Sequence, residues 1–116
     1  MVTNFEEITS ELNKRELEIV PVLVEGFKRY TKTNPILSPD VVRRYNSKTK
    51  GIKLTPARLR KIINHIRTQG LLPLIGTSKG YYVAYEQHEI AKQIKSLNER
   101  ANSIRNSAVG LKKFMQ

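Results

Sequence analysis

The stretch that decides the fold covers residues 55–85 and reads TPARLRKIINHIRTQGLLPLIGTSKGYYVAY. Thr55 followed by Pro56 is a helix start, because the threonine can cap the first turn and proline suits the first helical position. The pattern predicts a helix over about 56–69, which Gly70 ends. Two short apolar runs follow, at 71–75 and 81–85, and the glycines and polar residues between them are typical of a hairpin.

The helix over 56–69 has two opposed faces. Its apolar residues share an arc of about 100°, which we expect to face the core; they are Leu59, Ile62, Ile63 and Ile66. The opposite face carries Ala57, Lys61, Asn64 and Thr68, and the flanks carry Arg58, Arg60, His65 and Arg67. A solvated amphipathic helix would show the same pattern, but the position of this helix, directly before a hairpin, favours DNA contact.

The chemistry of the outer face suits a major groove. Lys61 and Arg58 can donate to guanine or to phosphate, Asn64 can pair with adenine, and small residues let the helix approach closely. We expect Lys79 to project from the hairpin tip, where Gly80 permits a positive φ. By strand alternation one of Tyr81 and Tyr82 should face outward, to bond a phosphate or to pack on a helix. The candidate DNA-binding residues are Arg58, Arg60, Lys61, Asn64, His65, Thr68, Lys79 and Tyr81.

Earlier in the chain, Asn13 and Glu16 have the spacing of a capping box, which predicts a helix over about 14–30. Its apolar residues are so closely spaced that most of the circumference of this helix should be buried. Pro21 should kink this helix or divide it into two. Residues 36–37 suggest a very short strand. Ser38 with the following proline predicts a side-chain cap for a helix that ends near Asn46, and 47–54 should be a polar loop.

The order of elements is therefore helix, short extended segment, helix, helix, strand, strand and a last helix. This order predicts a mostly α protein with a small β-hairpin (α+β), a winged helix-turn-helix with an appended C-terminal helix. Three parts are expected: an acidic N-terminal arm or short helix over 1–12, the winged-helix domain over 13–86, and a C-terminal helix over 87–116. The recognition helix would be about 56–69 and the wing about 76–82.

Residues 58–67, the Gly70-Leu71-Leu72-Pro73 turn and residues 77–83 together resemble a group of small winged-helix proteins encoded by phages and prophages. The resemblance is clearest over about 55–85, and residues 21–26 also look similar. It implies a winged-helix fold and DNA binding, by a phage-type regulator or a replication accessory in a bacterial or phage-infected host cytosol.

The C-terminal helix carries a heptad pattern. Its apolar residues are spaced alternately by four and three positions; they are Ile90, Ile94, Leu97, Ala101, Ile104, Ala108, Leu111 and Met115. We expect a homodimer through residues 90–111, by a parallel or an antiparallel helix pair. The alternative is that the helix folds back onto its own domain. Gly110 should weaken the last turns, so the helix is predicted to end at about Ala108.

Composition agrees with a nucleic-acid partner. The 116 residues include 21 Lys and Arg against 10 Asp and Glu, for a net charge of +11. The first twenty residues are acidic, and they could sit away from phosphate or pair with the basic body. There is no cysteine, and His65 and His88 do not suggest a metal site, so no cofactor is expected. No nucleophile, base and orienting group stand together, which argues against an enzyme, and no apolar stretch suits a membrane.

The sequence leaves alternatives to DNA binding. One is a protein–protein interaction module that uses the winged helix and the heptad helix, with the charge serving only solubility. RNA binding is disfavoured, because the strands lack the aromatic-rich face that stacks single-stranded bases.

Overall fold

A computed structural model describes residues 11–115 of the chain. Within them lie four helices and one two-stranded antiparallel sheet. The helices are α1 (Lys14–Phe27), α2 (Ser38–Lys48), α3 (Pro56–Thr68) and α4 (Gln87–Lys112), and the strands are β1 (Leu74–Thr77) and β2 (Gly80–Val83). The predicted α+β class is confirmed. The predicted arm or short helix over 1–12 lies almost entirely outside the described residues.

α1 begins as the sequence predicts. The Asn13 side chain accepts the Glu16 N–H at 2.8 Å, and the Glu16 carboxylate accepts the Asn13 N–H at 3.0 Å, which completes the capping box. The helix is continuous through Pro21, so the prediction of two helices is wrong. Proline removes a bond to the carbonyl of Leu17, and both residues are exposed, so water can satisfy that group.

The prediction that most of the girth of α1 is buried is wrong. Ile19, Val20, Leu23 and Phe27 face the core, but Val22 remains half exposed, as does Leu17. The helix also ends three residues before the predicted Tyr30.

α2 starts one residue earlier than a serine cap would require. Leu37 is the N-cap and makes no side-chain capping bond, while Ser38 is already helical. The proline in the first turn and Asp40 near the positive helix end remain as start signals. The predicted side-chain cap at Ser38 is therefore wrong, and the helix runs two residues past the predicted end at Asn46.

α3 has the predicted ends. Thr55 accepts the Arg58 N–H, and Gly70 has a φ of 63°, the left-handed conformation that ends many helices. All four stripe residues are 3% exposed or less, and they form the centre of the core with residues of α1 and the buried loop residue Leu54.

The hairpin is tighter than its predicted loop. β1 and β2 pair from Leu74 opposite Val83 to Thr77 opposite Gly80, so only two residues, Ser78 and Lys79, connect them. A third extended segment lies along β2. Ile36 exchanges two backbone hydrogen bonds with Tyr81, at 2.9 and 2.7 Å, which gives the predicted short strand as a single bridge.

The chain divides into two compact units, and the boundary falls between Ala84 and Tyr85. The first unit contains α1–α3 and the hairpin. The second contains α4, which continues past the predicted end at Ala108 and through Gly110 to Lys112.

Gly80 is the residue at which the hairpin depends on glycine. Its φ is 121°, and a Cβ there would lie 2.4 Å from the carbonyl oxygen of Ile36. We expect Gly80→Ala to lower the free energy of unfolding by about 3 kcal/mol, because the backbone is strained and the Ile36 bridge must open. Urea unfolding followed by circular dichroism measures this loss.

Gly26→Ala is the matched control. Gly26 is helical, and a Cβ there meets nothing within 4 Å, so this change should be neutral or stabilise by up to about 1 kcal/mol. Equal stabilities of the two variants would contradict the close approach at Gly80.

Candidate functional site

The carboxylate of Glu16 joins α1 to α3. One oxygen accepts a hydrogen bond from the Lys61 ammonium at 2.8 Å, and the other accepts a hydrogen bond from Nε of Arg58 at 3.0 Å. Glu16 is only 3% exposed, and among the described residues it is the charged residue that is buried. Because the Asn13 N–H also bonds to this group, both oxygens are satisfied, as a buried carboxylate requires.

The pKa of Glu16 reflects this environment. Burial by itself raises the pKa, but hydrogen bonds from Lys61, the Asn13 backbone and Arg58 outweigh burial and lower it below the usual 4.5. The carboxylate is therefore ionised at neutral pH, and the contact is a three-membered ionic cluster.

Arg58 and Lys61 are consequently not placed as the sequence suggests. Lys61 was expected to face outward from α3, but its side chain is 18% exposed and bends back to Glu16. Arg58, expected on the flank, is 27% exposed and also donates to the Lys53 carbonyl at 2.8 Å. Their predicted contact with DNA stays a prediction, but neither is an unoccupied donor.

The loop between α2 and α3 is fixed at its end by side chains. The Asn46 amide donates to the Leu54 carbonyl at 2.9 Å and accepts the Leu54 N–H at 2.8 Å. Leu54 is 2% exposed, so this part of the expected polar loop is core. The bond from Arg58 to Lys53 acts on the same segment. Together these contacts hold the exposed lysines of the loop in place.

The outer face of α3 is formed by Ala57, Asn64 and Thr68. Ala57 and Asn64 are partly exposed, and Thr68 is exposed. The Thr68 hydroxyl donates to the His65 carbonyl at 3.2 Å, which keeps this side chain close to the helix. His65 is half-buried. The face is therefore small and polar, as the sequence predicts.

The other flank of α3 faces the hairpin. Nε of Arg67 donates to the Leu74 carbonyl of β1 at 3.0 Å. A Cβ on Gly76 would lie 3.2 Å from the Arg67 guanidinium, so glycine leaves room for this contact. Arg60, on the same flank, is half-buried. These contacts link the helix to the strands directly.

The hairpin tip and the tyrosines have different surroundings. Lys79 is exposed at the tip, where its N–H donates to the Thr77 hydroxyl at 3.2 Å. Tyr81 is half-buried, and the edge of its ring meets Phe27 with centroids 6.1 Å apart. Tyr82 is 6% exposed. Neither tyrosine projects into solvent, so the predicted outward tyrosine is wrong. The alternative, a tyrosine that packs on a helix, is confirmed by the contact of Tyr81 with Phe27 of α1.

Positive charge is concentrated in the segment that contains α3 and the hairpin. Residues 41–85, which carry most of α2, all of α3 and the hairpin, hold ten Lys and Arg and no Asp or Glu. Four of these cations are exposed lysines, in the α2 end and loop and at the hairpin tip: Lys48, Lys50, Lys53 and Lys79. The segment therefore presents a positive surface to solvent.

A cleft lies between α1 and α2 in the same unit, and Lys48 of the positive surface is one of its lining residues. It has a volume of about 540 Å³, with Leu23, Phe27 and Val41 among its apolar lining residues. Arg44 is at the cleft and is held in position by Tyr30, whose hydroxyl it bonds and whose ring centroid is 5.9 Å from the guanidinium carbon. The cleft thus combines apolar walls with an oriented cation.

In the part of the chain that the structure describes, no three His, Asp or Glu side chains cluster to hold a metal ion. None of the helices found there is long and apolar enough to cross a membrane. Neither finding adds to the site described above.

Comparison with known proteins gives no match: none was found among protein-family models, curated proteins or solved structures. The resemblance to phage winged-helix proteins therefore stays a prediction.

Glu16→Gln tests the ionic cluster. The change leaves two partly buried cations without their counter-charge, and we expect the free energy of unfolding at neutral pH to fall by about 2–3 kcal/mol. Because the folded pKa of Glu16 is lowered, its contribution is complete above pH 4.5 and is lost as the pH falls through the folded value. Urea unfolding of both proteins across this pH range should show the difference shrinking in acid.

The exposed Glu18 on the same helix provides the control. Glu18→Gln should change stability by less than about 0.5 kcal/mol at every pH. A difference between Glu16→Gln and the unmutated protein that stays constant into acid would contradict the assignment.

Proposed function

We propose that this chain binds double-stranded DNA through a winged-helix unit, with α3 in the major groove and the hairpin tip on neighbouring phosphates. The observation that carries the proposal is the charge of the segment 41–85, which holds ten Lys and Arg and no Asp or Glu. Glu16 and Asp40, outside the segment, pair with three of these cations. This excess suits a polyanion, and it surrounds one helix whose outer face is small and polar.

The arrangement of elements supports the fold assignment. α1, the Ile36 segment, α2, α3 and the hairpin follow in the order of a winged helix, and Ile36 adds a third extended segment beside β2. The helix before the hairpin is the one that reads bases in this fold, and the hairpin is the wing.

The candidate residues then divide into three roles. Asn64 on the outer face is the base-reading residue, beside Ala57 and Thr68, which let the helix approach. Lys79 and the exposed loop lysines bind phosphate. Arg58 and Lys61 act as positioning residues, because Glu16 holds them and Arg58 in turn holds the loop at Lys53.

This function fits a regulator or a replication accessory of the phage type. If two copies associate, two α3 helices meet two half-sites, and the preferred target is palindromic.

Fluorescence anisotropy with a labelled duplex, titrated at several salt concentrations, tests DNA binding. Affinity should fall as salt rises, because each phosphate contact releases counterions. Lys79→Ala should reduce the slope of log affinity against log salt by about one. No binding at low salt, or a slope near zero, would overturn the proposal.

Two variants serve as controls in that titration. Lys92→Ala removes the same charge from the exposed surface of α4 and should leave the slope unchanged. Asn64→Ala removes no charge, so it should also keep the slope. It should instead reduce discrimination between a preferred and a random duplex, by about 1–3 kcal/mol.

A second candidate function, a protein–protein interaction module, is favoured by the cleft between α1 and α2. Its apolar walls fit the nonpolar face of a helix. Its lining holds three cations, Arg29, Arg44 and Lys48, against one carboxylate, Glu25, which pairs with Lys28, so the lining is complementary to acid. The partner of this chemistry is an acidic amphipathic helix from another protein.

A synthetic helical peptide with leucines on one face and glutamates on the other is the probe for this cleft. Arg44→Glu should weaken its binding about tenfold or more, because the oriented cation becomes a like charge. Arg43→Glu is the control, since Arg43 pairs with Asp40 and does not line the cleft. Equal binding by the two variants, or none by the unmutated protein, would exclude this use of the cleft.

A further inference from the structure

α4 presents a line of large apolar side chains to solvent. Ile94, Leu97, Ile104 and Leu111 are between 36% and 68% exposed. An isolated exposed leucine is ordinary, but a continuous line along one helix marks a contact surface. The line is straight only if the helix repeats every 3.5 residues, as it does in a coiled coil.

The heptad positions along α4 differ in size. With Ile94 at position a, the next two a positions are the alanines Ala101 and Ala108, whereas the d positions from Ile90 onward are all large: Ile90, Leu97, Ile104 and Leu111. In a parallel pair of identical helices, a meets a and d meets d, so alanine layers would alternate with crowded ones. In an antiparallel pair, a meets d, and each alanine faces a large residue.

Charges beside this line also distinguish the arrangements. The flanking e and g positions within α4 hold three cations, Arg100, Arg105 and Lys112. A parallel pair places Arg100 beside Arg105 of the partner subunit, which is unfavourable because like charges repel. A second copy in parallel is therefore disfavoured by both size and charge.

Repulsion between arginines also selects one register among the antiparallel pairs. When Ala101 faces Ile104 of the partner subunit, Arg100 lies beside Ser107 of the partner subunit and Arg105 lies beside Asn98 of the partner subunit. A shift of the partner by one heptad in one direction would place Arg100 beside Arg100 of the partner subunit. A shift in the other direction would place Arg105 beside Arg105 of the partner subunit, and in both cases like charges repel. The selected register also keeps its layers, from Ile94 to Leu111, within α4.

We propose that two copies of this chain associate through α4 as an antiparallel pair in which Ala101 faces Ile104 of the partner subunit and Leu97 faces Ala108 of the partner subunit. This pairing does not depend on DNA binding. The two also respond oppositely to salt. Residues 86–115 carry six Lys and Arg against three Glu, so salt screens their mutual repulsion and strengthens the pair.

Disulfide cross-linking of the full chain tests the register, because the chain has no cysteine of its own. A mixture of Leu97→Cys and Ala108→Cys chains should form the mixed disulfide under mild oxidation. In the proposed register the two copies of position 97 are about 16 Å apart along the axis, from the rise of 1.5 Å per residue, which is too far for a disulfide. Efficient self-cross-linking of Leu97→Cys alone would overturn the antiparallel arrangement.

Sedimentation equilibrium of the unmutated chain tests the association itself. A dimer that tightens with salt is expected, and a monomer from micromolar to millimolar concentration would overturn the proposal. Ile104→Asp should give a monomer, whereas Ser103→Asp, which adds the same charge outside the seam, should leave the dimer. Circular dichroism of both variants establishes that α4 is intact. A dimer that survives Ile104→Asp would show that another surface joins the copies.

Discussion

The carboxylate of Glu16 lies buried between α1 and α3, and it accepts hydrogen bonds from Arg58, Lys61 and the backbone of Asn13. Apolar contacts between the same helices would tolerate a small slide, because burial has little directional preference. An ionised group in the core tolerates much less, since each oxygen must keep its donors at hydrogen-bond distance. This cluster therefore fixes how α1 lies against α3. The position of α3 in turn sets the place of its solvent-facing side and of Arg67, which bonds to β1 of the hairpin.

The same cluster changes what the cations of α3 can do. A basic residue on the flank of a recognition helix is ordinarily assigned to phosphate, but Arg58 reaches both Glu16 and the carbonyl of Lys53. It connects the core to the loop that presents lysines, so it acts on the proposed DNA surface through other residues. The carboxylate also offsets part of the local positive charge, so burying Arg58 and Lys61 costs less than it would for isolated cations.

Signals local in sequence predicted the elements well, and contacts distant in sequence were missed. The Asn13 cap, the Thr55 cap and the glycines at 70 and 80 each act within a few residues, so the starts of α1 and α3, the end of α3 and the place of the hairpin turn could be predicted. The partners of Glu16 lie 42 and 45 residues away, and no local pattern specifies them. Pairing of the acidic first twenty residues with the basic body was one of two alternatives, and Glu16 takes it with Arg58 and Lys61. The spacing from Asn13 already accounted for Glu16, so the sequence did not single it out for that role.

The prediction of an outward-facing tyrosine on β2 was wrong for a related reason. Alternation predicts an exposed side only for a strand with one covered face, but Tyr81 packs against Phe27 on one face of β2 and Tyr82 on the other face is 6% exposed. The hairpin is consequently more enclosed than a projecting wing, and only its tip remains exposed. In the proposed DNA complex, the phosphate contacts come from Lys79 and from the loop lysines, and the fold holds these two sets of lysines by different means. One set depends on the Gly80 turn, and the other depends on Asn46 and Arg58, so the positive surface has two structurally separate supports.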